Sequence, residues 1–138
     1  MKRLILSVAL FVATTAAPAA ELKDLAGTYK MTAMHTGGAA VPADALKAFE
    51  SFTIAGDKLT VQRAGMTKVA TISKVDAAAK PASFDLIHDD NKAVTLQGVY
   101  SLEKGVLTLV LSQGDGRPNS LEGKGANELK FVLQKVGK

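Results

Sequence analysis

The chain has 138 residues, with seventeen Lys and Arg against thirteen Asp and Glu, and no cysteine. Without cysteine there is no disulfide scaffold, so a folded domain must rest on its hydrophobic core. The charges are interspersed and form no run of one sign, so the net +4 does not describe a nucleic-acid surface, which needs clustered Lys and Arg.

Lys2 and Arg3 precede an apolar run from Leu4 to Val12, and Ala17-Pro18-Ala19 then meets the small-x-small rule for signal peptidase. Nine apolar residues are too few to cross a bilayer, which takes about 20. The pattern therefore predicts a signal peptide at 1–19 and a mature domain at 20–138 of net charge +2. No later stretch approaches membrane length, and no cysteine lies at the cut for a lipid anchor. The expected product is soluble, without a membrane span, and periplasmic or extracellular.

Beyond the leader, apolar residues recur every second position, as in strands with one buried face. The alternation predicts eight strands: Gly27–His35, Glu50–Ala55, Lys58–Ala64, Thr67–Lys74, Ser83–His88, Lys92–Leu102, Gly105–Ser112 and Glu128–Val136. Gly56-Asp57, Gly65, Asp89-Asp90-Asn91 and Lys104-Gly105 supply turn chemistry between them. Only "VPADALKAFE" reads as helix, about two turns long, with Pro42 opening it and Leu46 and Phe49 on one face. Pro81 makes the Ala-rich stretch before it a connection. Most links have hairpin length, so the predicted fold is all-β: an eight-stranded antiparallel up-and-down barrel with one short helix after strand 1. Closure removes exposed edges, and a two-sheet sandwich is the alternative.

In such a meander the links after odd-numbered strands share one rim. That rim would gather His35, Arg63, His88, Arg117 and the Pro42–Phe49 helix, and any ligand-accepting mouth belongs there. Gly114-Asp115-Gly116 lacks the third glycine of a dinucleotide fingerprint and has no βαβ context, so it reads as a strand exit. Arg117 fits either a packing arginine or a bidentate clamp for an anion. His88-Asp89-Asp90 with His35 offers two histidines, short of the three or four ligands zinc takes, and Asp-Asp-Asn is ordinary turn chemistry. No metal, cofactor or catalytic site is expected, since there is no cysteine nucleophile and no GxSxG elbow. Tyr29, Phe49, Phe52, Phe84, Tyr100 and Phe131 are expected in the core or around a small cavity. Eight strands enclose an interior either filled or able to hold one small ligand.

The stretches "LAGTYKM", "GGAAVPADALKAFESFTIAGDKLTV", "KPASFDLI", "LQGVYSLEKGVLTLVLSQGDGRP" and "LKFVLQK" occur in order across the mature chain. Together they resemble a lipocalin-like bacterial domain family abundant in secreted planctomycete proteins. The resemblance implies a calycin-type barrel and export, and it implies no particular reaction. Arg117-Pro118 stands at the family's Arg-Pro marker. Tyr29 stands where the family usually carries Trp, so contacts of that indole do not carry over.

Two functions fit. One is a binding module that holds a small apolar or amphipathic ligand at the barrel mouth, with His35, Phe49, Arg63, His88 and Arg117 as candidate ligand contacts. The other is a solid-core envelope domain that recognises protein or polysaccharide through its loops, without catalysis.

Overall fold

The computed structural model describes residues 20–91, 94–114 and 116–136, so the predicted leader, Lys92 at the predicted start of strand 6, and Asp115 lie outside the described residues. Nine strands follow in order: β1 Gly27–Thr36, β2 Ala39–Ala40, β3 Phe49–Ala55, β4 Lys58–Arg63, β5 Met66–Asp76, β6 Ala82–His88, β7 Thr95–Glu103, β8 Val106–Ser112 and β9 Glu128–Lys135. From β3 onward each pairs antiparallel with its successor, and β9 returns to β1 between Tyr29↔Lys135 and Thr36↔Leu129. Eight strands thus close into a barrel, with β2 as a two-residue addition to β1.

Tight hairpins hold this meander together. Ala64-Gly65 and Lys104-Gly105 each place two consecutive residues at positive φ. That turn matches the right-handed twist of the flanking strands. Gly65 and Gly105 take the second of these positions without steric cost.

The inward positions form one continuous core that includes Tyr29, Phe52, Phe84, Tyr100, Leu107 and Leu133, each no more than 3% exposed. All six expected aromatics belong to it, with Phe49 and Phe131 at its partly buried edge. Phe84 meets Tyr100 edge-on at 5.9 Å, and Phe52 lies 5.9 Å from Phe49 and 6.1 Å from Phe131. A void of about 10 Å³ remains between Leu25, Ile54, Leu59, Ile72, Phe84 and Leu109, which is space for about one water. The side chains fill the cylinder there.

A 3-10 turn at Leu22–Leu25 stoppers the lower end, where β1 begins. Leu25 is 2% exposed, and Tyr29 Oη donates to its carbonyl oxygen at 2.7 Å. Tyr100 Oη donates to the carbonyl oxygen of Ala20. Burial pushes both phenols above their ordinary value of 10.0, and the carboxylates of Glu21, Asp24 and Asp76 raise Tyr100 further. A phenol whose folded pKa is raised keeps its full stabilisation below the unfolded value and loses it as pH climbs above 10. We expect the urea midpoint to fall between pH 10 and 11.5, and to fall less in the Tyr29→Phe/Tyr100→Phe double variant. A fall of equal size in both proteins would assign the effect to lysine titration.

The one α-helix among the described residues, α1, is shorter than its sequence pattern predicts. It makes one turn, Ala43–Leu46, and Phe49 opens β3 instead of closing the helix. Pro42 at its start offers no side-chain cap, and Lys47 and Ala48 bond back only three residues, at 3.3 and 3.4 Å. Ala48 O is then taken by Ala64 N–H at 2.7 Å, which draws the chain into the β3–β4 ladder.

The long loop between β8 and β9 folds down the outside of the barrel. By alternation with Gly98 and Leu111, Val99 and Val110 point outward, yet they are 1% and 0% exposed. Pro118 and Gly123 in the loop are buried as well. Gly123 is needed at φ +68, and a Cβ there would sit 2.6 Å from Cβ of Lys130 on β9.

Candidate functional site: a cleft in the barrel wall

One seam of the barrel is incomplete. The β1–β3 ladder runs only from Gly27↔Ile54 to Tyr29↔Phe52. On the same edge of β1, β2 pairs with His35 and Thr36, and Val41 N–H bonds Met34 O at 2.8 Å. Between these attachments Lys30 to Ala33 have no strand partner on that edge among the described residues. The reason is the link from Gly37 to Ala48. It is far longer than the neighbouring hairpins, and the α1 turn inside it props the strands apart.

A solvent-open cavity of about 450 Å³ occupies the gap, lined by Lys30, Met31, Ala43, Leu46, Lys47, Phe49 and Glu50. Met31 and Phe49 pack against the barrel core and form an apolar floor. Lys30, Lys47 and Glu50 are exposed at the rim. Lys47 Nζ lies 3.6 Å from Asp44 on the same helix, and both side chains are so exposed that the pair adds little stability. Arg63 pairs with Phe49 across the β3–β4 ladder, and its guanidinium stands 4.9 Å over the Phe49 ring. The floor is therefore greasy, and the border carries Lys30, Lys47 and Arg63 against Glu50 and the Asp44 carboxylate beside Lys47.

The five residues singled out from sequence do not all meet here. Phe49 and Arg63 do. His35 lies at the upper end of β1, opposite Ala40 and Lys130, with a buried Nδ1 that has no hydrogen-bond partner among the described residues. His88 ends β6, four strands round the barrel from β1. Arg117 sits on the outer wall. Its Nη1 donates to Phe84 O at 2.6 Å and Gly98 O at 3.0 Å, and its Nη2 donates to Asp85 Oδ1 at 2.8 Å. Those two carbonyls belong to directly opposed residues of β6 and β7, so one guanidinium clasps that seam.

Sequence patterning set Leu46 and Lys47 at the rim with the helix, but it did not mark Lys30, Met31 or Glu50 as their neighbours. They converge because a ladder stops, and alternation carries no trace of where a ladder stops. The one available signal was the length of the first link.

A second polar group pins the β6–β7 turn to the wall. Lys58 Nζ donates to Thr71 Oγ1 at 2.7 Å and to Asp89 Oδ2 at 3.0 Å, and Thr71 Oγ1 donates to Asp89 Oδ1 at 2.8 Å. Among the described residues no three His, Cys, Asp or Glu side chains converge as metal ligands, and no helix is long and apolar enough to cross a membrane. Comparison with protein-family models, curated proteins and solved structures returns no match to this chain.

Proposed function

We propose that this chain is an exported lipocalin-like barrel that binds a small amphipathic molecule, without catalysis, in the lateral cleft between β1, α1 and β3. The carrying observation is the 450 Å³ cavity, with Met31, Leu46 and Phe49 below and ammonium groups above. Cavities of this size accept small ligands, and an apolar floor with a few polar groups is their usual lining. The filled interior argues that the ligand lies against the wall instead of along the barrel axis. Lys30, Lys47 and Arg63 against Glu50 and Asp44 favour an anionic head group over a cationic one.

The test uses protein recovered in processed form from an exporting host, melted with decanoate and separately with decyltrimethylammonium. Decanoate is expected to raise the melting temperature by several degrees through mass action on the folded state. Leu46→Arg, at a half-exposed position, should remove that shift and leave the stability of the unliganded protein within about 0.5 kcal/mol of the parent. A larger shift with the cationic detergent would overturn the head-group assignment.

The 10 Å³ interior also supports a second reading, an envelope domain with a solid core whose loops recognise protein or polysaccharide. It takes precedence if neither amphiphile moves the melting temperature.

A further inference from the structure

The lower end of the barrel is closed by the residues that directly follow the predicted signal-peptidase site. The peptide joining Ala20 to Glu21 is held from two sides. Its carbonyl accepts from Tyr100 Oη, and its N–H donates to Asp24 Oδ2 at 2.9 Å. Ala20 and Leu22 pack against the core, and Asp24 N–H bonds back to Glu21 O at 2.8 Å. Chain ends usually fray unless something ties them down. Here the tie begins at the first residue after the cut.

We propose that the barrel is built to receive a processed N-terminus, with the α-ammonium of Ala20 as the last charge of the lower plug. Signal peptidase would hydrolyse the Ala19–Ala20 bond. Water supplies the hydroxyl to Ala19, whose acid ionises, and the proton it sheds leaves Ala20 as an ammonium at neutral pH. That cation emerges one residue from the amide that Asp24 already holds.

The titratable groups of the lower plug are Glu21, Lys23 and Asp24 on the turn, Asp76 at the end of β5, Tyr100 on β7 and Tyr29 on β1. Lys135 on β9 has its Nζ 5.8 Å from the Tyr29 ring. Glu21, Asp24 and Asp76 are near enough to act on the Tyr100 phenol, so negative charge dominates the pocket. An ammonium among carboxylates has its pKa raised on folding. Its contribution is complete below the unfolded value of about 7.7–8.0 and disappears as pH rises through the folded value. In the uncleaved chain the same atom is a neutral amide, and the plug lacks this charge.

The inference rests on the export reading, and its two parts fail separately. The full chain is expressed for export and the recovered protein weighed intact. The mass should correspond to residues 20–138, and another start would overturn the assignment of the cut. A portion is then unfolded, acylated at its α-amine near pH 6.5 where lysines stay protonated, and refolded beside an untreated portion. The free terminus should melt several degrees above the acylated one at pH 6.5, and the gap should close by pH 10. Asp24→Asn should narrow the gap at pH 6.5. Equal melting at every pH would overturn the docked ammonium while leaving the cut in place.

Discussion

Gly98→Val should be the most damaging single substitution in the barrel wall, lowering stability by about 3 kcal/mol or more where Gly98→Ala costs about 1–3 kcal/mol. Gly98 faces inward in the middle of β7, and a Cβ there would lie 2.7 Å from Cζ of Phe84 and 2.8 Å from Cδ2 of Leu111. Its φ is not in the left-handed region, so the backbone would accept a side chain and the penalty is one of space alone. Neither neighbour has room to retreat. Phe84 is pinned edge-on against Tyr100, Tyr100 is tied to Ala20, and the void beside Phe84 amounts to about 10 Å³. A shorter side chain at 84 should relieve the clash, so Phe84→Leu should cost less in the Gly98→Ala background than in the parent. Guanidinium unfolding of the four proteins measures that coupling. Additive costs would show that the ring moves aside freely.

This glycine shows what alternation can and cannot carry. The period-two pattern marks all eight barrel strands to within a few residues, because every second position along them turns an apolar side chain to the core. Phe52 and Ile54 against Thr53 and Ala55 in β3 is the plainest case. Gly98 interrupts the inward series without altering it, and a missing side chain has no periodicity. Its role appears only when the Phe84 ring from the next strand is seen in the space. Val99 and Val110 are the opposite case. They occupy outward positions, and their apolar character had no explanation in a barrel wall facing water. The loop that covers them lies between β8 and β9, and its content of Gly, Asp, Asn and Pro signals irregular backbone without saying where that backbone goes. The shortened helix has a related cause. Leu46 and Phe49 have helical spacing, but Ala48 and Phe49 also meet β4, and a ladder bond to Ala64 outweighs a second uncapped turn.

The candidate site follows the same division. The predicted topology put the Pro42–Phe49 helix and Arg63 on one rim, and the cation–aromatic contact forms between Phe49 and Arg63. It could not bring Lys30 and Met31 to them, because that convergence depends on the β1–β3 ladder stopping at Tyr29. Arg117 is instructive because sequence leaves two roles open for it, and the two differ in what surrounds the guanidinium. A clamp for a foreign anion needs free donors aimed at solvent. A fastening needs partners within the chain, and two backbone carbonyls and a carboxylate occupy Nη1 and Nη2 here.

Arg117→Ala should accordingly lower stability by about 3–4 kcal/mol. Removing one member of a buried pair typically costs about 3–5 kcal/mol, because the charge left behind has no compensation. The Arg117 side chain is 31% exposed, so water can partly replace it and the lower part of that range applies. Asp85 is the member that suffers, since its side chain is 9% exposed and points into the layer between the wall and the long loop. Loss of the guanidinium also takes a donor from Phe84 O and Gly98 O, and it releases the loop segment that ends at buried Pro118. Asp85→Leu alone should be less harmful than Arg117→Ala, because its orphan is the better-solvated arginine. The double variant Arg117→Leu/Asp85→Leu should be more stable than Arg117→Ala, since it leaves no charge unpaired under the loop. Chemical denaturation of the three variants orders them. A fully stable Arg117→Ala protein whose decanoate shift is abolished would reverse the assignment, and make the guanidinium a ligand contact instead of a fastening of the β6–β7 seam.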